Sequence, residues 1–321
     1  MNILITGISG FVGGHLVEHI QRLNGDYAIY GTTFGDLPGY FSEFDPAIIE
    51  RSSACDLTDR EKTLEVFRNI KPDLVFHLAA LSSVADAWQA AETVLTNNIV
   101  SQLNILEATR LTNPKARVVV ISSSEVYGKV RPDEIPITES NALRPCNPYS
   151  VSKVSQEFLA YHYAETYGLD IIVIRPFNHI GPRQHGNFVV PSFARQIAAI
   201  EADAQPPIIS VGNLSAQRDF TDVRDVARAY WLLATLDTPG EIYNVASGNA
   251  IEIEKLLAIL LEYARVTIEA RQNPDLMRPS DTPIIAGSFN KLEKATGWRP
   301  ERNVEETLLE TLNYWRKNST T

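Results

Sequence analysis

The chain has 321 residues, 44% of them apolar and 21% charged, an ordinary globular composition with length for one large domain or two modest ones. A formal net charge of -10 and a pI near 5.2 argue against a nucleic-acid or anionic-membrane surface, but leave room for an anionic small ligand held by a few arginines. Cys55 and Cys146, the two cysteines, sit in no motif, so no disulfide framework is expected and a reducing compartment is.

Met1 to Thr6 is a short apolar run of the kind found in a buried parallel strand. It leads at once into Gly7-Ile8-Ser9-Gly10-Phe11-Val12-Gly13 and then a helical pattern with apolar Leu16, Val17, Ile20 and Leu23. No basic segment precedes the strand and no run approaches ~18 uninterrupted apolar residues, so a cytoplasmic protein is expected. A strand, a tight glycine turn and a helix N-terminus make a cradle for a pyrophosphate: glycine lets the backbone come close, and the helix end favours negative charge. The same helix spells His15-Leu16-Val17-Glu18-His19, an H-x-x-E-H zinc-site pattern. Its position behind a phosphate-type turn, and the lack of a spaced third ligand among the other histidines, argue against a metal.

Tyr27 to Thr33 predicts a second strand, ending on Thr32 and Thr33 where NAD-binding sheets usually place an acid and NADP-binding ones a nearby base. Selectivity between NAD and NADP is left open, with a lean to NADP. Ala54 to Leu57 ends a third strand, where Asp56 could accept from an adenine amino group, cap a helix from Thr58, or do both. A fourth strand, Asp73 to Ala80, closes on Leu78, Ala79 and Ala80, small enough to let a ligand approach. Thr93 to Leu111 is a long helical pattern containing Asn98, and Arg117 to Ser122 is a fifth strand ending in Ser122-Ser123-Ser124-Glu125. Polar side chains at that end of a central strand lie where open α/β sheets bind ligands.

Asn147 to Lys153 holds the chain's only Tyr-x-x-x-Lys. On a helix Tyr149 and Lys153 share a face, and an ammonium beside a phenol would lower the phenol's pKa towards neutrality and suit it to acid–base work. The alternative is an amphipathic helix showing two unrelated polar residues. A strand follows at Ile171 to Pro176. Beyond it come a loop at Asn178 to Arg183, a helix near 190–203, a strand at Ile208 to Val211, a helix at Asp222 to Leu236 and a strand at Ile242 to Val245. Last are a helix from Glu252, a strand near Val266 to Ile268 and a helix from Val304 to Arg316. The expected fold is α/β: a doubly wound parallel sheet formed by 1–176 and 221–247, with a smaller interwoven lobe formed by 177–220 and 248–321.

With these residues laid out, the chain resembles the extended short-chain dehydrogenase/reductases, specifically the nucleotide-sugar epimerases, dehydratases and reductases. The likeness runs end to end through Gly7/Gly10/Gly13, Asp56-Leu57, His77-Leu78-Ala79-Ala80, Asn98, Ser123 four before Tyr127, Tyr149/Lys153, Arg175-Pro176-Phe177-Asn178 and Gly297-Trp298. The resemblance implies a catalytic set of Ser123, Tyr149 and Lys153. Tyr149 would exchange the proton, Lys153 would depress its pKa and hold the nicotinamide ribose, and Ser123 would donate to the substrate oxygen. It implies an NAD or NADP site at Gly7, Gly10, Phe11, Val12, Gly13, Thr32, Asp56, Leu57, Leu78, Ala79, Ala80, Asn98, Tyr149, Lys153 and Pro176.

The second half is similar to GDP-sugar members, most closely the GDP-4-keto-6-deoxy-D-mannose reductases that form GDP-D-rhamnose. The segments that carry this include Ser82 to Trp88, Phe177 to Pro182, Val211 to Leu214, Gln217 to Asp225 and Leu276 to Asp281. By that likeness Ser82, Ser123, Ser124, Asn178 and Val189 bind substrate, and Arg218 and Arg278 clamp its diphosphate, a task suited to a planar guanidinium. Arg183 departs from the reductases compared, and its role is open.

Glu125 matches the base of the 4,6-dehydratases, so GDP-mannose 4,6-dehydratase is the alternative. A 4-epimerase is third, and a cofactor-sensing protein without catalysis is the reading from another class. The glycine turn lacks the Gly-Gln-Asp of GDP-mannose dehydratases, and Thr-Thr-Phe stands where they carry arginines, which favours the reductase. The helices Thr93–Leu111 and Tyr149–Tyr167 are expected to form a four-helix homodimer interface.

Overall fold

The computed structural model describes residues 1–35, 37–277 and 282–318. Six strands of the first half are β1 Asn2–Thr6, β2 Ala28–Thr33, β3 Ser52–Ala54, β4 Leu74–His77, β5 Arg117–Ile121 and β6 Asp170–Pro176. The helices between them are α1 Phe11–Gln21, α2 Pro46–Glu50, α3 Arg60–Ile70, α4 Val84–Gln89, α5 Ala91–Thr112 and α6 Pro148–Tyr167. The second half adds β7 Asn178–Ile180, α7 Val189–Glu201, β8 Ile208–Val211, β9 Gln217–Asp222, α8 Val223–Ala234, β10 Ile242–Val245, β11 Ala250–Glu252, α9 Ile253–Glu262, β12 Glu269–Gln272, β13 Ile284–Ile285, α10 Asn290–Thr296 and α11 Val304–Asn318.

Seven strands form one parallel sheet in the order β10-β6-β5-β4-β1-β2-β3. The apolar runs that looked continuous in sequence divide by the strand period of two. Ile3, Ile5, Phe76, Val119, Ile172 and Ile174 face α1 and α8 in one buried cluster. Leu4, Val75, Val118, Val120, Ile171 and Val173 face α3, α5 and α6 in another. Both faces are therefore covered, as a parallel sheet requires.

A third cluster joins Phe193 and Ile197 of α7, Phe220 of β9, Leu256 and Leu260 of α9, and Leu308 and Leu312 of α11. Around it β9 pairs with β7, β11 and β13. Trp298, fully buried, stitches α10 to α8 through its indole N–H on the Asp225 carbonyl at 3.0 Å.

Several elements differ from the sequence expectation. Asn178 to Ile180 is not loop but strand, because β9 offers it a parallel partner. The strand expected near Val266 to Ile268 lies three residues later, at Glu269–Gln272, where β8 sets the register. The third strand stops at Ala54, before Cys55 and Asp56.

Candidate active site

Strand ends of the parallel sheet and two helix starts, those of α1 and α6, build the site. Gly7 has φ +66°, and a Cβ there would sit 3.1 Å from the Cα of Ala79. A Cβ on Gly13 would sit 2.6 Å from the carbonyl oxygens of Gly7 and Ile8. Glycine is thus required by close approach at both positions. The N-cap of α1 is Gly10, with no side chain covering the N–H groups of its first turn, so that turn, with Phe11, Val12 and Gly13, is open to an anion. Thr6 Oγ1 accepts from the Ala79 N–H at 3.1 Å and pairs with His77 Nδ1 at 2.9 Å, tying the glycine turn to the loop of Leu78, Ala79 and Ala80. Thr32 is buried at the end of β2, its carbonyl accepting from Ile8 N–H at 3.2 Å. Leu57 is buried and Asp56 exposed beyond β3. These residues fit a dinucleotide: side chains are missing where a pyrophosphate must come close.

One expectation for this region changes. The cap of α3 is Asp59, accepting from Lys62 N–H at 3.1 Å, and the helix starts at Arg60 rather than Thr58. Asp56 instead closes a local turn, accepting from the Thr58 N–H at 2.9 Å and its hydroxyl at 2.7 Å. Asn98, expected at the cofactor, spends its amide inside the protein. Its Oδ1 accepts from Leu81 N–H at 2.9 Å, and its Nδ2 donates to Leu81 O at 3.1 Å and Ser152 Oγ at 3.0 Å. It holds the loop after β4 against α6.

The helix carrying Tyr149 and Lys153 starts sharply. Asn147 caps it by accepting from Ser150 N–H at 2.8 Å, Pro148 follows, and Gly168 closes it in the left-handed region. The start places Tyr149 beside Ser123, which ends the connection from β5, and Glu125 in the following turn. Glu125 Oε2 accepts from Asn147 Nδ2 at 3.0 Å, so its carboxylate is fastened to the helix cap. Ser124 is buried in the same turn.

The charge state of the pair differs from the sequence expectation. Tyr149 is 8% exposed, and its pKa is pushed up, first by burial and further by the charge of Glu125, with Ser123 opposing. Burial and Glu125 act against the lowering expected from Lys153. The ammonium lies 5.7 Å from the centre of the tyrosine ring and donates to the Ile121 carbonyl at 2.8 Å. Burial brings Lys153 itself down to about 7, with Glu157 acting in the other direction. Desolvation has won over the neighbouring charge, and the tyrosine is held as a phenol.

On the side formed by the second half of the chain, Asn178 opens β7, Val189 opens α7 and Arg218 lies on β9. Arg218 donates to the Gln217 and Thr282 carbonyls at 2.8 and 2.7 Å. Ser82 is exposed in the loop after β4, and Pro176 ends β6. Arg278, expected at the diphosphate, lies outside the described residues.

Sequence reasoning did not anticipate how this side is joined to the glycine turn. Arg183, with φ +75°, donates to Glu18 Oε1 at 2.6 Å, reaches His15 Nδ1 at 2.8 Å and covers the Tyr40 ring at 4.9 Å. Tyr40 in turn donates to the Ser9 carbonyl. The ring of His179 stacks on Phe11, 5.9 Å apart and 8° from parallel. His15 and Glu18 of the H-x-x-E-H spelling are thus held by an arginine; only the unusual Arg183 signalled this.

The sequence matches the family described as GDP-mannose 4,6 dehydratase over residues 4–311. It is 34% identical over 313 residues to the GDP-6-deoxy-D-mannose reductase of Pseudomonas aeruginosa, covering 98% of this chain and 96% of that one. A GDP-mannose 4,6-dehydratase of Yersinia enterocolitica is 27% identical, over 96% of this chain and 91% of its own length. Among solved structures, that of RMD from Pseudomonas aeruginosa complexed with NADPH superposes with a TM-score of 0.85 at 34% identity, over 99% of each chain.

Proposed function

The chain belongs to the GDP-mannose 4,6-dehydratase family, and within it we propose a reductase that converts GDP-4-keto-6-deoxy-D-mannose to GDP-D-rhamnose with NADPH. The chain binds NAD(P) and is an oxidoreductase of the short-chain type, as its relatives are. NADPH, when bound, would supply one hydride to C4 of the sugar. The remaining work falls to the chain. Tyr149 passes its proton to the C4 oxygen as the carbonyl becomes an alcohol, and Ser123 donates to that same oxygen and orients it. Lys153 holds the nicotinamide ribose. Gly7, Gly10, Phe11, Val12 and Gly13 cradle the pyrophosphate. Ser82, Ser124, Asn178 and Val189 flank the sugar, and Arg218 with Arg278 holds its diphosphate.

What supports reduction over dehydration is the likeness itself: the chain is 34% identical to the Pseudomonas aeruginosa GDP-6-deoxy-D-mannose reductase and 27% identical to the Yersinia enterocolitica GDP-mannose 4,6-dehydratase. Reduction of a ketone needs a phenol ready to donate. Dehydration and 4-epimerisation both begin by oxidising C4, for which the tyrosine must accept a proton. Burial and the charge of Glu125 disfavour the phenolate that would accept it. Glu125 also has structural employment on the Asn147 cap, whereas a dehydratase needs its carboxylate at the C5 proton. Glu125→Gln tests the assignment: a reductase should slow by about tenfold or less, ~1.4 kcal/mol of barrier. A loss as deep as that of a Tyr149 variant would return Glu125 to the chemistry and favour the dehydratase.

The same reading includes a homodimer built on α5 and α6. These two helices pack together and leave Leu103, Leu111, Val151, Phe158, Tyr161 and Tyr167 exposed, and Phe158 and Tyr161 are more than 60% exposed, an apolar stripe that a second copy would cover. A cytoplasmic location accords with two free cysteines.

A further inference from the structure

One turn behind Lys153 lies a buried ion pair that proton transfer does not use. Glu157 of α6 and Arg175 of β6 are 6% and 3% exposed. Arg175 Nε donates to Glu157 Oε1 at 2.8 Å and one terminal nitrogen to Oε2 at 2.6 Å. The other terminal nitrogen donates to the Tyr127 hydroxyl at 2.9 Å and the Glu139 carbonyl at 3.3 Å. Tyr127 donates onward to Asn244 Oδ1 at 2.7 Å, and Ser122 donates its hydroxyl to Glu157. Each partner abuts the reacting edge. Ser122 precedes Ser123, Tyr127 closes the turn bearing Ser123 and Glu125, and Arg175 precedes Pro176. Removing two charges from water is costly, and a pair this deep is weak evidence of stability alone.

The charged surroundings of Lys153 single out Glu157. Positions 153 and 157 share a helix face. From its own helix Lys153 also meets Tyr149, a neutral phenol. From β4 it meets His77, which burial and then the lysine charge hold down at about 3, so that His77 is neutral. From β5 it meets the Ile121 carbonyl. On the turn, Glu125 is turned to Asn147 and acts on Tyr149. On β6, Arg175 is a cation already matched by Glu157. Glu157 is the acid whose charge acts on Lys153.

We propose that Glu157 is a positioning residue for the reaction: its carboxylate, fixed by Arg175 and Ser122, presents a negative charge one helical turn from Lys153, while Ser122 and Tyr127 anchor the segment that carries Ser123. The inference rests on the NADPH-dependent reductase reading for its activity readout, but not for its binding readout. Burial has already brought Lys153 to about 7, so loss of the carboxylate shifts the lysine further toward its neutral form.

The test compares wild type with Glu157→Gln, the double variant Glu157→Gln/Arg175→Met, and Ser122→Ala. Two pH profiles are read for each: reduction of the 4-keto sugar, and NADPH binding by fluorescence. In Glu157→Gln the alkaline limb of both profiles should move down by about one pH unit, the scale of a single nearby charge. The double variant, which strands no buried cation, should move in the same direction by less. Ser122→Ala keeps every charge, so its limb should stay in place while its turnover falls. If Glu157→Gln does not fold, the double variant decides. A limb coincident with wild type in the folded variants overturns the proposal, as does an equal displacement in Ser122→Ala. Absence of reduction in the wild type itself would count against the reductase reading, and the binding limb would still judge Glu157.

Discussion

Replacing Lys153 by methionine should stabilise the cofactor-free protein at pH 7 while removing most of its activity. Burial lowers the lysine from 10.5 to about 7. At pH 7 the unfolded chain carries this proton fully and the folded chain about half of it. At ~1.4 kcal/mol per pKa unit, the folded state is disfavoured by about 4 kcal/mol on this account. Methionine keeps an unbranched stem and removes that cost. It gives up the hydrogen bond to the Ile121 carbonyl, a loss of about 1–2 kcal/mol, and leaves Glu157 with Arg175 as partner. The net gain should be about 2–3 kcal/mol. The sign with pH follows from proton counting. Between about pH 7 and 10.5 the unfolded state binds more protons, so wild-type stability rises with pH through that window. The advantage of the variant should therefore shrink by about 2 kcal/mol from pH 7 to pH 9, and change little below pH 7. Urea unfolding at fixed protein concentration, at pH 6, 7 and 9, reads this directly. A variant less stable than wild type at pH 7, or an advantage indifferent to pH, would refute the reasoning.

Tyr149→Phe removes only a hydroxyl from a packed ring, so reduction should fall by about two to four orders of magnitude while NADPH binding stays nearly intact; near-wild-type turnover would dismiss Tyr149 as the acid. Light scattering at micromolar concentration should give twice the 35.7 kDa chain mass, and Phe158→Glu should return the protein to monomer; a monomeric wild type would reject the α5–α6 interface.

The sheet was legible because its strands are apolar, regularly spaced and punctuated by glycine. The cradle was legible because Gly7, Gly10 and Gly13 lie between a strand and a helix. The paired Tyr149 and Lys153 were legible from spacing alone, but their charge states were not. Spacing gives proximity, while the balance between burial and neighbouring charge depends on how much water the fold removes. β9 escaped notice because Gln217–Asp222 is polar. Its Asp219 is fully buried, accepting from Ser247, Gly248 and Gly287, and such long-range partners leave no local pattern. The Arg183 and Glu157–Arg175 pairings were hidden for the same reason. They join residues 165 and 18 positions apart, which no helical or strand period brings together.

The most direct test gives the purified wild-type protein two substrates in separate reactions. With GDP-4-keto-6-deoxy-D-mannose and NADPH, it should consume one NADPH for each GDP-D-rhamnose formed. With GDP-mannose and no added reductant, it should leave the sugar unchanged. Conversion of GDP-mannose to the 4-keto-6-deoxy product, together with failure to reduce that product, would contradict the reductase account and make the chain a dehydratase.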